Sequence, residues 1–208
     1  MQLPAFMGGI RGKLIAIFVL IKVVPLLLLA WFALAGALAL AGVVVRVGPP
    51  LGPLAILGGV GLGLLVHARS PAVRAWTRTV PLRRLVLYQA LRAPIGAAFL
   101  LLAARGRIPR EFADVAGLGD LAVGLTALAA LACLPARTEL RRRLVLLWNC
   151  AGLLDILVVV ATAQYLILGL GRRDMLAAFT DMPGMAMLPL FVVPTVILAH
   201  LVVFARLR

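Results

Sequence analysis

Apolar residues form six long runs along the chain, and short segments rich in arginine, glycine and proline separate them. A helix that crosses a bilayer needs about 20 mostly apolar residues. The pattern therefore predicts an all-α fold, a polytopic membrane helix bundle of six transmembrane helices. We expect a single integral membrane domain over residues 1–208, with spans at residues 14–45, 51–66, 85–104, 112–134, 144–170 and 185–204.

The amino-acid composition supports this class. Hydrophobic residues make up 64% of the chain and charged residues 13%, whereas a soluble domain is about half apolar and about a quarter charged. This balance excludes a soluble globular protein, a disordered chain and a fibrous repeat. The two cysteines, Cys133 and Cys150, form no CxxC pair, so we expect no disulfide framework, metal site or cofactor.

The basic residues predict how the helices are oriented. The chain carries a formal net charge of +14, and its arginines fall mainly in the segments between the apolar runs. If the six spans cross the membrane in alternating directions, thirteen basic residues lie on the side that holds both termini and six lie on the other side. By the positive-inside rule both termini are cytoplasmic. No nucleic-acid motif accompanies the charge, so we expect anionic lipid headgroups at the cytoplasmic loops as partners, and no nucleic acid.

Two segments leave alternatives open. The first apolar run is preceded by Arg11 and Lys13 and contains a cleavage-like Ala33-Leu34-Ala35, but it is far longer than the apolar core of a signal peptide. We therefore favour a retained span over a cleaved one. The connection over residues 171–184 forms either a capped link or a short interfacial helix over the mouth of the bundle, and we favour the capped link.

Polar residues inside the predicted spans are the candidate functional groups, because ionisable side chains in a bilayer are costly. At about 1.5 Å per residue, Asp120 and Asp155 both lie about 17–18 Å from the cytoplasmic face. Arg92 lies at about 12 Å, and Asn149 and His200 lie at about 9 Å. We predict a buried polar cluster in which Arg92 is the counter-ion of both aspartates.

A repeated local pattern surrounds the two aspartates. The motif A-G-L-x-D-[LI]-x-V occurs at residues 116–123 and again at 151–158. Small residues allow membrane helices to approach closely, and on span three Tyr88, Gln89 and Arg92 share one face. A GxxxG spacing in span two predicts packing within the protein or in a homodimer. The glycines expected to pack helices are Gly59, Gly63, Gly117, Gly124 and Gly152.

Two partial resemblances accompany these patterns. Residues 11–32 (RGKLIAIFVLIKVVPLLLLAWF) resemble the first membrane span of chemoreceptor-type sensors. From about residue 91 onward the chain resembles a family of small, uncharacterised, multi-spanning bacterial inner-membrane proteins. The matching segments are residues 106–109, 116–124, 148–149 and 152–155, and Pro189 and Pro194 before His200. This resemblance implies a location in the bacterial inner (plasma) membrane and carries no activity.

The leading hypothesis is a structural or accessory multi-pass membrane protein with a buried cluster of Arg92, Asp120 and Asp155. The alternative is a small proton- or cation-coupled transporter that uses the aspartate pair, because two carboxylates beside one guanidinium tend to hold a shared proton. No catalytic set of residues is present in the sequence, which makes an enzyme the less favoured reading. The substrate, oligomeric state and partner proteins are not specified by the sequence.

Overall fold

A computed structural model describes the backbone of residues 5–207 and the side chains of residues 23–179 and 181–207. All regular elements of this described part are helical. They are α1 (Ala5–Leu40), α2 (Val43–Val47), α3 (Leu51–Arg69), α4 (Pro71–Thr79), α5 (Leu82–Ala90), α6 (Arg92–Ala104), α7 (Arg110–Ala132), α8 (Glu139–Gln164), α9 (Arg173–Asp181), α10 (Pro183–Met187) and α11 (Val193–Leu207), with π-helical segments at Tyr165–Gly169 and Leu188–Val192.

Six helical stretches are long and apolar enough to cross a membrane, as the pattern of apolar runs predicts. They are Val23–Leu40, Leu51–Arg69, Leu82–Ala104, Arg110–Ala132, Glu139–Gly169 and Pro183–Leu207. The first ends at Leu40 and not at residue 45, and the fifth begins at Glu139 and not at residue 144. Near Leu40 the change has a visible cause. The chain turns there because Gly42 adopts a φ of 67°, which favours glycine, and α2 follows it.

The third stretch is divided at Leu91, where α5 ends and α6 begins. Both halves pack against α7, and they differ in their polar partners. On α5 the Tyr88 hydroxyl lies 2.6 Å from the Thr195 hydroxyl of α11, and Gln89 Nε2 donates to the Val196 carbonyl oxygen at 3.4 Å. On α6, Arg92 bonds to α7 and α8 instead. Tyr88, Gln89 and Arg92 were predicted to share one face, but they have different partners.

Helices α6 and α7 approach each other at backbone distance through glycines. A Cβ atom at Gly96 would lie 2.5 Å from the Gly117 carbonyl oxygen, and one at Gly124 would collide with the Ala93 backbone. Gly117 itself lies against Leu100, since a Cβ there would be 2.7 Å from Leu100 Cγ. Only glycine allows this contact, which brings the start of α6 beside the middle of α7.

The GxxxG face of α3 is occupied within the chain. A Cβ at Gly59 would lie 2.9 Å from the Trp31 ring on α1 and 3.0 Å from Pro194 on α11, and one at Gly63 would lie 2.5 Å from Leu198. Trp31 also donates to the Leu190 carbonyl oxygen at 2.9 Å. These contacts hold α3 against α11, and α1 against α3 and the π-helical segment Leu188–Val192, within a single copy of the chain.

Polar contacts define the two ends of the bundle. At one end, called here the α9 end, Arg172 pairs with Glu111 at 3.0 Å and with Asp174 at 2.8 Å. The hydrogen bond from Arg172 holds the pKa of the Asp174 carboxyl below its usual range. Residues 171–184 thus contain a helix, α9, where we favoured a capped link. At the other, arginine-rich end, Arg142 donates to the Leu207 carbonyl oxygen at 2.8 Å.

Four clusters of buried apolar residues occur in the described part of the chain, and the candidate polar residues lie between two of them. The core toward the α9 end contains Phe99, Phe112 and Met175, among others. The core toward the arginine-rich end contains Val86 and Val145, among others. Arg92, Asp120 and Asp155 each lie, along their own helical stretch, between a residue of the first of these cores and a residue of the second.

Candidate functional site

The Arg92 guanidinium binds acceptors on two neighbouring helices. Its Nε donates to Asp120 Oδ1 on α7 at 2.6 Å, and its Nη2 donates to Asp155 Oδ2 on α8. Its Nη1 donates to the Gly152 carbonyl oxygen on α8 at 2.9 Å. The predicted pairing of Arg92 with both aspartates is therefore confirmed. The three side chains are called the Arg92 cluster below.

The Arg92 cluster is enclosed on the α7 side and less so on the α8 side. The Arg92 side chain is 2% exposed and that of Asp120 is 5% exposed, while that of Asp155 is 19% exposed. Charged groups removed from water in this way are stable only when they are paired and hydrogen-bonded. Here each nitrogen of Arg92 has an acceptor.

Glycines of α7 and α8 make room for the cluster. A Cβ at Gly119 would overlap the Asp155 carboxylate, so the absence of a side chain at residue 119 allows that carboxylate to lie against α7. Gly152 has two neighbours: its carbonyl accepts from Arg92, and a Cβ there would lie 2.7 Å from His200 Cε1. Gly152 was predicted for helix packing from its spacing to Asp155, whereas nothing in the motif singles out Gly119.

Asn149 and His200 form a second polar pair, fully buried between α8 and α11. Asn149 Nδ2 donates to the His200 carbonyl oxygen at 3.1 Å, and His200 Nδ1 lies 2.8 Å from Asn149 Oδ1. Because an amide oxygen only accepts, the imidazole proton is on Nδ1. The other ring nitrogen, Nε2, is buried and has no hydrogen-bond partner in the described part of the chain.

Asn149 and His200 do not bond to either aspartate. The contact between this pair and the Arg92 cluster runs through Gly152, which touches the His200 ring and accepts from Arg92. The predicted site residues therefore form two adjacent groups. Tyr88 and Gln89, expected on the same face as Arg92, belong to neither, since both bond to α11.

A cavity of about 80 Å³ reaches the Arg92 cluster from the α9 end. Arg92 and Asp120 line its base, and Pro49, Gly52 and Gln164 line it near the α9 end. From Ile156 to Gln164, both lining residues on α8, the helical rise gives a depth of about 12 Å. Apart from Arg92, Asp120 and Gln164, the lining is apolar.

Helix α9 forms part of the wall of this cavity. Met175, Leu176 and Phe179 of α9 line it, together with Phe99 and Phe112 of α6 and α7. No sequence signal pointed to the cavity, because its lining residues come from many helices and share no spacing. Hydrophobic lining with a few convergent polar groups is the usual character of a small-molecule site.

The described residues contain no group of three or more His, Cys, Asp or Glu side chains placed to hold a metal ion. The polar groups at the cavity base are a guanidinium and a carboxylate. Among the described residues, no donor reaches Asp120 Oδ2, so one carboxylate oxygen beside the cavity has a free acceptor. Such a group can take a proton or a cationic donor.

The family model of DUF8737, described as a domain of unknown function, matches residues 51–208. The chain belongs to the DUF8737 family. The DUF8737 match begins with α3 and includes both the Arg92 cluster and the Asn149–His200 pair. It confirms the expected membership of an uncharacterised family. No curated protein and no solved structure matches the chain.

The DUF8737 match leaves α1 and α2 outside it. Residues 11–32, whose sequence resembles the first membrane span of chemoreceptor-type sensors, lie in this unmatched part. That resemblance and the bacterial origin stay predictions. Much of the cavity lining, including Arg92, Asp120 and Gln164, lies inside the DUF8737 region, so the candidate site is a feature of the matched domain.

Proposed function

We propose that the chain is one integral membrane domain of six spans in a bacterial inner membrane, with both termini cytoplasmic. The exposed surfaces of the helices support this, since Leu54, Leu57 and Leu62 of α3 and Leu154 of α8 are more than half exposed. An apolar surface of this kind requires lipid around it. The positive-inside rule then makes the arginine-rich end cytoplasmic and the α9 end external.

We further propose that the protein is a small proton- or cation-coupled transporter and that the Arg92 cluster is its coupling site. The cavity carries this proposal, because it leads from the α9 end to Asp120 near the middle of the bundle. A carboxylate that is reached by a cavity and has a free oxygen can exchange a proton or a cation. A purely architectural cluster has no need of such a cavity.

Reconstituted proteoliposomes test the transport proposal. Purified protein is placed in vesicles that contain a pH-sensitive dye, and inward gradients of Na⁺, K⁺ or tetramethylammonium are imposed in turn. We expect at least one gradient to drive proton movement in wild type and not in Asp120→Asn, because the amide cannot exchange a proton. Asp114→Asn, on an exposed face of the same helix, is the matched control and keeps the flux. Absence of proton movement with every gradient contradicts transport.

An architectural role is the second candidate, and the bonds of Arg92 favour it. One side chain of α6 holds α7 through Asp120 and α8 through Asp155 and Gly152. Polar contacts of this kind stabilise membrane helix bundles by modest amounts. On this reading Asp120→Asn lowers the melting temperature and yield without changing any flux.

The proposed partners are lipids, and a second copy of the chain where a dimer forms. Arg78, Arg83 and Arg84 are exposed at the arginine-rich end, which favours contact with anionic headgroups. In α3 a Cβ at Gly58 or Gly61 would have nothing within 4 Å. A homodimer through α3 would therefore use the Gly58 and Gly61 face, because Gly59 and Gly63 are covered within the chain.

A further inference from the structure

We infer that the central cavity is a binding site for a compact organic cation, a primary alkylammonium ion with a short apolar chain. The inference deepens the proposed function by naming the substrate class of the same cavity. It rests on that proposal only for movement of the ligand across the membrane. Binding itself follows from the charge, the lining and the size of the cavity.

The charge at the cavity base favours a cation. When all three groups are ionised, the Arg92 cluster holds one positive and two negative charges, which leaves one negative charge unbalanced. Asp120 lines the cavity, and no donor among the described residues reaches its Oδ2. An ammonium group at the base would donate to this oxygen and neutralise the excess charge.

The same base is unsuited to an anion. Arg92 also lines the cavity, but three of its five N–H groups already donate to Asp120, Gly152 and Asp155. An anion would add negative charge to a cluster that has a net negative charge, in a site where few polar groups are available to offset it.

The walls of the cavity suit an apolar body with a positive charge. Phe99 and Phe112 line it as an edge-to-face pair with ring centroids 5.3 Å apart, and Phe179 of α9 also lines it. Aromatic rings attract cations that lie close to their faces, most strongly away from water. Nearer the α9 end, the buried Gln164 Oε1 has no hydrogen-bond partner in the described structure and is a second free acceptor.

The volume of the cavity limits the size of the ligand. At about 80 Å³ it is about half as large as the engineered cavity of about 150 Å³ that holds benzene. A ligand of about four non-hydrogen atoms is therefore the size that fits without rearrangement. Longer alkyl chains can extend only toward Gln164 and the α9 end, since Arg92 and Asp120 close the base.

Three probes of equal size and different charge test this inference: isopropylammonium, propan-2-ol and acetate. Binding to the purified full-length protein is measured by ligand-observed NMR. We expect isopropylammonium to bind with a Kd on the order of 1 mM, as is usual for so few atoms. Propan-2-ol and acetate should bind at least about tenfold more weakly, because they lack the positive charge. Equal binding of propan-2-ol, tighter binding of acetate, or no binding of the ammonium ion would overturn the inference.

Variants locate the bound cation. Asp120→Asn should weaken isopropylammonium binding about tenfold or more, while Asp114→Asn on the same helix leaves it unchanged. If Asp120→Asn does not fold, Phe112→Leu and Gln164→Leu serve instead, and each should weaken binding about threefold. Unchanged binding in these cavity variants overturns the site. If isopropylammonium binds but proteoliposomes show no proton flux, the binding site is supported and transport is contradicted. If proton flux occurs without ammonium binding, transport is supported and the binding site is contradicted.

Discussion

Arg92 is the residue at which three helices are joined, because its guanidinium on α6 donates to acceptors on α7 and α8. A buried ion pair adds little when it replaces a well-packed apolar contact, but removing one partner leaves an uncompensated charge. The stability of the bundle therefore depends on the balance of the three charges more than on any one of them.

Replacement of Arg92 by Met tests this dependence. We expect a loss of about 3 kcal/mol or more, because two carboxylates remain without their counter-ion. The measurement is thermal unfolding in detergent, followed by loss of the monodisperse peak. The triple variant Arg92→Met/Asp120→Asn/Asp155→Asn should recover most of the melting temperature, since it buries no charge.

Arg110→Met provides the control for the Arg92 experiment. Arg110 pairs with Asp114 at 3.8 Å, and its side chain is 87% exposed, so its loss should leave the melting temperature almost unchanged. If the triple variant is no more stable than Arg92→Met alone, the lost stability comes from packing and not from charge.

The pairing of Arg92 with both aspartates could be predicted from the sequence by helical geometry alone. Counting about 1.5 Å per residue from Glu111 and from Arg143 places Asp120 and Asp155 at one level, and counting from Arg84 places Arg92 about a turn away. The same counting places Asn149 and His200 slightly lower, where they form a separate pair. Gly119 could not be predicted, because its role depends on where α8 lies against α7.

At the scale of helices, single glycines determine how closely α6, α7 and α8 approach one another. Gly96 and Gly124 bring α6 to the backbone of α7, and Gly119 admits the Asp155 carboxylate from α8. Each is a position where one added methyl group would meet an atom that has little freedom to move. Glycine in a helix interior is otherwise unfavourable by about 1 kcal/mol relative to alanine.

Gly119→Ala tests the contact between α7 and α8. The added Cβ displaces the Asp155 carboxylate and disturbs its bond with Arg92. We expect destabilisation of about 1–3 kcal/mol, the usual effect of overpacking. Gly36→Ala in α1 is the matched control, since a Cβ there meets nothing within 4 Å and no contact is proposed for that position. It should be neutral or slightly stabilising, and equal melting temperatures for the two variants would contradict the packing described for Asp155.

Sequence patterns predict only part of what is seen at this scale. The six apolar stretches follow from length and hydrophobicity alone. The division of the third stretch at Leu91 has a signal that the span prediction did not use, because Pro94 lacks the N–H that would donate to the Ala90 carbonyl oxygen. Helix α9 is only one of the two alternatives that the sequence leaves open, and the ion pair between Arg172 and Glu111 beside it joins residues 61 positions apart.

At the scale of the whole molecule, the asymmetric distribution of arginine is the main guide to orientation. Arg78, Arg83 and Arg84 are exposed at one end, whereas Arg172 at the other end is paired with Glu111 and Asp174. The free positive charge is therefore even more one-sided than the count of basic residues suggests. The expectation that the arginine-rich end is cytoplasmic rests on the count of basic residues, to which acidic partners matter little.

Cysteine labelling tests the proposed orientation. In a background of Cys133→Ser and Cys150→Ser, one cysteine is introduced at Gly171 or Gly184 at the α9 end, or at Arg78 at the other. In intact cells a membrane-impermeant maleimide should label the first two and not the third, and it should label all three after permeabilisation. Labelling of Arg78→Cys in intact cells would reverse the orientation.

The position of Arg92 before both of its partners in the chain has a consequence for biosynthesis. Asp120 follows it by 28 residues and Asp155 by 63, so the ribosome delivers the guanidinium first. Placing an arginine at the centre of an isolated helix costs about 2.5–3.5 kcal/mol during translocon-mediated insertion. The third hydrophobic segment is thus expected to wait beside the translocon until the fourth and fifth have been synthesised, and the three then enter the lipid phase together with the arginine already paired.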